Sequence, residues 1–153
     1  MLQKDFNPVI RFMVVSDVHY KDDHCVEEER MEKAIKIAYR LSEEHPTYKK
    51  LDGVFADGDF ANSGTEIQMR KFKKTLDDNL KPETKYCLNM ASHEYHGDGV
   101  ENAYKRFTEV FEIPVDNHIE INGFHFITMS SSHGCEYDPD KIEYASKELK
   151  IAR

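Results

Sequence analysis

Short apolar runs alternate along this chain with segments of helical periodicity, and this alternation restricts the fold more than any other feature. The apolar runs cover residues 9–15, 51–56 and 86–90. The segments of helical spacing follow them at residues 27–44, 65–80 and 100–110. Repeated strand–helix units predict an α/β fold with a largely parallel sheet. In such sheets, ligands bind beyond the carboxyl ends of the strands.

The last part of the chain has a different pattern. Residues 118–121 and 124–129 flank Asn122-Gly123, a dipeptide that favours a type I′ hairpin turn because both central residues need a positive φ. Residues 138–152 have the apolar spacing of a helix, with Pro139 in its first turn. The sequence therefore predicts a βαβα order that ends in a β-hairpin and a helix, with residues 1–153 in a single domain.

Composition excludes several classes of protein. The net charge of -8 over 153 residues argues against a non-specific nucleic-acid binder, which needs Lys and Arg to displace counterions. No apolar run reaches 18 residues, and the first residues lack a signal-peptide pattern. We therefore expect a soluble, cytoplasmic protein without a membrane partner. Cys25, Cys87 and Cys135 are widely spaced and odd in number, which favours free thiols over a disulfide framework.

Polar residues that can bind metals follow each predicted strand. Asp17 and His19 follow the first, Asp59 follows the second, and Ser92 and His93 follow the third. Because the carboxyl ends of parallel strands meet at one sheet edge, we expect these side chains to converge. Carboxylate and imidazole together suit a divalent or trivalent metal, and a carboxylate can bridge two such ions that activate water and neutralise phosphate.

Three sequence blocks give this pattern a specific resemblance. DVH at 17–19, GDFANSG at 58–64 and ASHEYHG at 91–97 resemble the D-x-H, G-D and G-N-H-[DE] blocks of calcineurin-like metallophosphoesterases. The resemblance implies an α/β/β/α sandwich, of which this chain would form the N-terminal half. It also implies hydrolysis of phosphate mono- or diesters, with a small phosphate ester or a nucleotide as substrate, at a dinuclear centre of Mn, Fe or Zn.

The resemblance also implies a role for each matching residue. Asp17 and His19 would bind the first metal, Asp59 would bridge both metals, Ser92 would serve the second metal, and His93 would protonate the leaving group. His96 is expected to line the substrate pocket.

The chain departs from the family pattern in two places. Ser92 stands where the family has Asn, and a hydroxyl is a shorter and poorer ligand than a carboxamide oxygen. The family's later His ligands, from a lone His and a G-H-x-H block, have no counterpart after the last predicted helix. His133 is the remaining late candidate, although it precedes that helix.

Two other functions compete with the enzyme. A non-catalytic fragment acting as a binding module is motivated by Ser92 and the missing ligands. A receiver-like signalling domain would use Asp57 as a phosphorylatable residue but would leave His19 and His93 without a role.

If the chain is half of a sandwich, one sheet face is expected to be uncovered, which predicts self-association or a missing C-terminal half. Residues expected on or near that face are Phe12, Val14, Val54, Phe55, Phe126 and Ile127.

Overall fold

A computed structural model describes residues 7–24, 26–97, 99–131 and 136–152. His133, Cys25 and Cys135 lie outside these residues.

The fold is mixed α/β, as predicted. Three parallel strands form one sheet in the order β1-β2-β3, and an antiparallel pair forms a separate hairpin. The strands are β1 (Phe12–Val15), β2 (Gly53–Asp57), β3 (Lys85–Asn89), β4 (Asn117–Ile121) and β5 (Phe124–Thr128). The helices are α1 (Val26–Glu43), α2 (Glu66–Asn79), α3 (Val100–Phe111) and α4 (Pro139–Ile151), with a short 3-10 turn over Ser92–Tyr95.

The core lies on one face of the three-stranded sheet. Parallel connections follow a right-handed rule, which for the order β1-β2-β3 puts both connecting helices on the same face, and buried residues of α1 and α2 do share one cluster. Val54 and Leu88 of the sheet are fully buried there. Phe60, at the centre of the core, stacks on Phe72 of α2 with ring centroids 4.8 Å apart and meets Phe111 of α3 edge to face at 5.5 Å. This packing anchors the segment that follows β2, and that segment carries Asp59.

The hairpin covers part of the opposite sheet face. The ring centroid of Phe126 lies 4.7 Å from that of Phe55 and 5.7 Å from that of Phe12. Phe12 and Val14 remain 44% and 58% exposed, so the cover is incomplete. Val54 does not belong to this face. Successive residues of a strand point to opposite sides, so Val54 is buried under the helices while Phe55 meets the hairpin.

The hairpin turn has the predicted geometry. Asn122 and Gly123 have φ values of 53° and 80°, both positive as a type I′ turn requires. The Asn122 side chain donates hydrogen bonds to the carbonyl of Val9, the hydroxyl of Tyr48 and the carboxylate of Asp52. The turn is thereby attached to the amino-terminal end of the parallel sheet.

The last helix begins beside the segment that precedes the hairpin. The Lys141 ammonium donates to both carboxylate oxygens of Asp116, at 2.9 and 2.7 Å. Farther along the helix, Glu148 Oε2 lies 2.7 Å from His118 Nδ1 on the hairpin. Within the described part of the chain, no helix is both long enough and apolar enough to cross a membrane.

Candidate metal centre

The loops that follow β1 and β2 are held side by side by backbone hydrogen bonds. The His19 amide donates to the Asp59 carbonyl at 3.0 Å, and the Tyr20 amide donates to the Phe60 carbonyl at 2.8 Å. Because Phe60 is fixed in the core, these bonds fix the loop after β1 as well. The two loops therefore present their side chains at the same edge of the parallel sheet.

Three of the predicted site residues have a left-handed backbone. Asp17, His19 and Asp59 have φ values of 55°, 57° and 51°. Asp and His adopt this conformation more readily than most residues, whereas β-branched residues rarely do. Non-glycine residues held there tend to occur at functional sites, where the surrounding structure imposes the conformation.

The glycine before Asp59 is required by close packing. Gly58 has a φ of 79°, and a Cβ atom at this position would lie 2.3 Å from the Cβ of Ala91. Any side chain at Gly58 would therefore push apart the loops that follow β2 and β3. The close approach brings Asp59 next to Ser92 and His93.

The structure brings the predicted ligands together. His19, Asp59 and His93 each offer a ligand atom, and these atoms lie within 4.8 Å of one another. Asp17 Oδ1 is 3.9 Å from His19 Nε2, at the more exposed side of the cluster. Three separate loops thus deliver two imidazoles and two carboxylates to one end of the sheet.

His93 is oriented by two contacts. Its backbone amide donates to Asp59 Oδ1 at 2.8 Å, and its ring Nδ1 lies 2.6 Å from the carbonyl oxygen of Asn62. Because a carbonyl can only accept, Nδ1 carries the proton in this pair. The other ring nitrogen, Nε2, is then available either to bind a metal or, when protonated, to donate.

Ser92 and His96 lie beside the cluster and are exposed. Ser92 Oγ is 3.4 and 3.5 Å from the two carboxylate oxygens of Asp59. The His96 ring centroid lies 4.6 Å from that of His93. At the edge of the site, Ser92 therefore lies next to Asp59 and His96 lies next to His93.

Glu94 is a structural residue of the site that the sequence reasoning did not single out. Its carboxylate is fully buried and accepts hydrogen bonds from the amides of Asp59 at 2.8 Å, Ala61 at 2.9 Å and Ala91 at 2.9 Å. Burial raises the pKa of Glu94 to about 7, while the three N–H donors act in the opposite direction. The acidic residue directly after His93 was the available signal, but the sequence does not reveal its burial.

The donor set fits a transition-metal ion. Imidazole and carboxylate together accept Mn, Fe or Zn. His19 Nδ1 is buried and has no hydrogen-bond partner among the described residues, which is unusual for a buried polar atom. His19, Asp59 and His93 form the one such group found in the described part of the chain, which accounts for one ion.

Comparison with known protein families finds no model that matches this chain, and no curated protein is significantly similar to it.

Replacing Glu94 with Gln tests whether its carboxylate holds the loops together. Gln keeps one acceptor oxygen but places an NH₂ group opposite a backbone donor, so at least one buried N–H loses its partner. We expect Glu94→Gln to lower the free energy of unfolding by about 2 kcal/mol, measured by urea denaturation. Glu83→Gln, at an exposed turn position, is the matched control and should change it by less than about 0.5 kcal/mol. Equal effects of the two substitutions would contradict this role.

Proposed function

We propose that this chain is a metal-dependent phosphoesterase that hydrolyses phosphate mono- or diesters. The observation that carries the proposal is the convergence of His19, Asp59 and His93 from three separate strand-end loops. The resemblance of those loops to the sequence blocks of calcineurin-like metallophosphoesterases implies the same reaction, hydrolysis of a phosphate ester. In this proposal His19 and Asp59 hold the ion, with Asp17 at its exposed side.

A second ion is part of the proposal but rests on fewer residues. Asp59 presents two carboxylate oxygens, and Ser92 Oγ lies within 3.5 Å of both. A second ion between them would have only a carboxylate and a hydroxyl from the described residues. We therefore propose that it is held more weakly than the first.

His93 is proposed to donate a proton to the leaving group. A metal ion bound beside it would activate water and neutralise the negative charge of the phosphate. The hydrogen bond from Nδ1 to the Asn62 carbonyl fixes the ring, so a proton on Nε2 points away from the backbone. A leaving oxygen that accepts this proton departs as a neutral alcohol, which is the usual contribution of general acid catalysis.

The arrangement of layers supports the proposed α/β/β/α sandwich. Helices α1, α2 and α3 contribute to the core on one face of the parallel sheet, and Phe126 of the hairpin packs on the other face. On the hairpin, His118 contacts Glu148 of the last helix. Helix, sheet, hairpin and helix therefore follow one another in contact.

A non-catalytic metal-binding module is the second candidate, because Ser92 replaces the stronger amide ligand. A receiver-like domain has less support. It leaves His19 and His93 without a role, and Asp57 Oδ1 already accepts a hydrogen bond from the Asn89 side chain.

The substitution His93→Asn tests whether Nε2 of His93 acts as a general acid or as a metal ligand. We expect the wild-type chain to hydrolyse 4-nitrophenyl phosphate or bis(4-nitrophenyl) phosphate with Mn²⁺ and to lose this activity on chelation. Loss of a general acid should lower kcat about 100-fold or more for phenyl phosphate, whose more basic phenolate leaves poorly without a proton, and much less for 4-nitrophenyl phosphate, whose phenolate leaves readily unprotonated. The Mn²⁺ dissociation constant, measured by calorimetry, should stay near the wild-type value. His24→Asn, on an exposed loop, is the control.

Weaker Mn²⁺ binding in His93→Asn would instead make His93 a metal ligand. Metal binding without turnover in the wild-type chain would favour the binding module over the enzyme.

Ser92→Asn tests the second ion. A carboxamide oxygen reaches farther than a hydroxyl, so we expect a second equivalent of Mn²⁺ to bind more tightly and turnover to rise. Ser146→Asn, on the exposed side of α4, is the matched control. Unchanged metal stoichiometry and turnover in Ser92→Asn would show that Ser92 does not limit the site.

A further inference from the structure

A groove of about 510 Å³ lies beside the candidate metal centre, between the loop after β1 and helix α1. We call it the α1 groove. Its volume is within the range of small-molecule sites. Asp17 and His19 form the end at the metal centre, and Val18, Glu27, Arg30 and Met31 line the rest. A molecule whose phosphate reached the metal centre could therefore place its remaining part in this groove.

Arg30 is the cation of the groove among its described lining residues. Two of the other three cations of α1 have carboxylate partners, since Lys36 pairs with Glu32 at 3.2 Å and Arg40 with Glu44 at 3.8 Å. The third, Lys33, does not line the groove. Arg30 is exposed, and no hydrogen bond or ion pair joins it to another residue in the described ranges. Glu27, which shares the groove, already has an interaction of its own.

A second cavity, on the Ser92 side of the metal centre, differs from the α1 groove in its charged lining residues. It measures about 270 Å³ and is lined by Asp57, Asn89, Ser92 and Tyr137, with no cation among its described lining residues. The α1 groove also contains carboxylates, Asp17 at the metal-centre end and Glu27, but of the two cavities it is the one that offers a cation, Arg30, to a negatively charged group. In the second cavity the same group would meet Asp57 without a cationic partner among the described lining residues.

We propose that the α1 groove holds the leaving group of the substrate and that Arg30 binds an anionic substituent on it. This inference rests on the proposed phosphoesterase function. The planar guanidinium matches a carboxylate or a phosphate with two parallel hydrogen bonds. Val18, Met31 and Ala34 supply apolar wall for the body between the two anionic ends. The substrate class is therefore a phosphate ester whose alcohol or phenol carries a second negative charge.

A matched pair of substrates tests this assignment. 4-Carboxyphenyl phosphate and 4-carbamoylphenyl phosphate have nearly the same shape and differ in the charge of the substituent. The measured quantity is the ratio of their kcat/KM values with Mn²⁺, compared between wild type and Arg30→Gln, so that intrinsic reactivity cancels. Gln is a good helix former, so the substitution keeps α1 intact. Arg40→Gln, on the same helix and outside the groove, is the control.

We expect Arg30→Gln to lower the ratio of charged to neutral substrate about three- to fivefold, as loss of one partly exposed ion pair predicts. Arg30→Lys should retain part of it, and Arg40→Gln should keep the wild-type ratio. Added NaCl should lower the ratio in wild type but not in Arg30→Gln, because salt screens the pair. A ratio that is the same in Arg30→Gln and wild type, or that falls equally in Arg40→Gln, would overturn the role of Arg30. Absence of metal-dependent turnover of both substrates in wild type would overturn the phosphoesterase proposal and this inference with it.

Discussion

The buried carboxylate of Glu94 is the contact on which the geometry of the candidate site depends. It accepts three backbone N–H groups, two from the segment after β2 and one from the residue that begins its own turn. The Glu94 carboxylate thereby ties the loop after β2 to the loop after β3. The hydrogen bond from the His93 amide to Asp59 Oδ1 is a second link between the same two loops.

The loops after β1 and β2 contain several features that oppose folding. Asp17, His19 and Asp59 have left-handed backbones, which cost free energy for residues other than glycine. Asp17 and Asp59 also bring like charges to one edge of a chain whose net charge is already -8. Backbone hydrogen bonds to the segment that follows β2, together with the packing of Phe60, hold this arrangement in place. A bound cation would relieve the charge repulsion, which gives a physical reason for such an arrangement to persist.

Much of the fold could be predicted because it depends on local patterns. The alternation of apolar runs and helical spacing identifies the strands and helices, and Asn122-Gly123 identifies the hairpin turn. The convergence of His19, Asp59 and His93 follows from parallel strands, since their carboxyl ends share an edge. Non-local features could not be predicted in this way. The burial of Glu94 and the side on which Val54 packs both depend on which segments meet in three dimensions. The identity of the partner atoms of His93 also depends on the loop conformation around Asn62.

The most direct test of a metal bound between His19 and Asp59 is anomalous diffraction from a crystal of this chain soaked in MnCl₂. We expect an anomalous difference peak at the carboxyl end of the parallel sheet, at coordination distance from an imidazole nitrogen of His19 and a carboxylate oxygen of Asp59. A well-diffracting crystal at saturating Mn²⁺ with no peak at that edge, or with ordered manganese only elsewhere, would contradict the assignment of this edge as a metal centre.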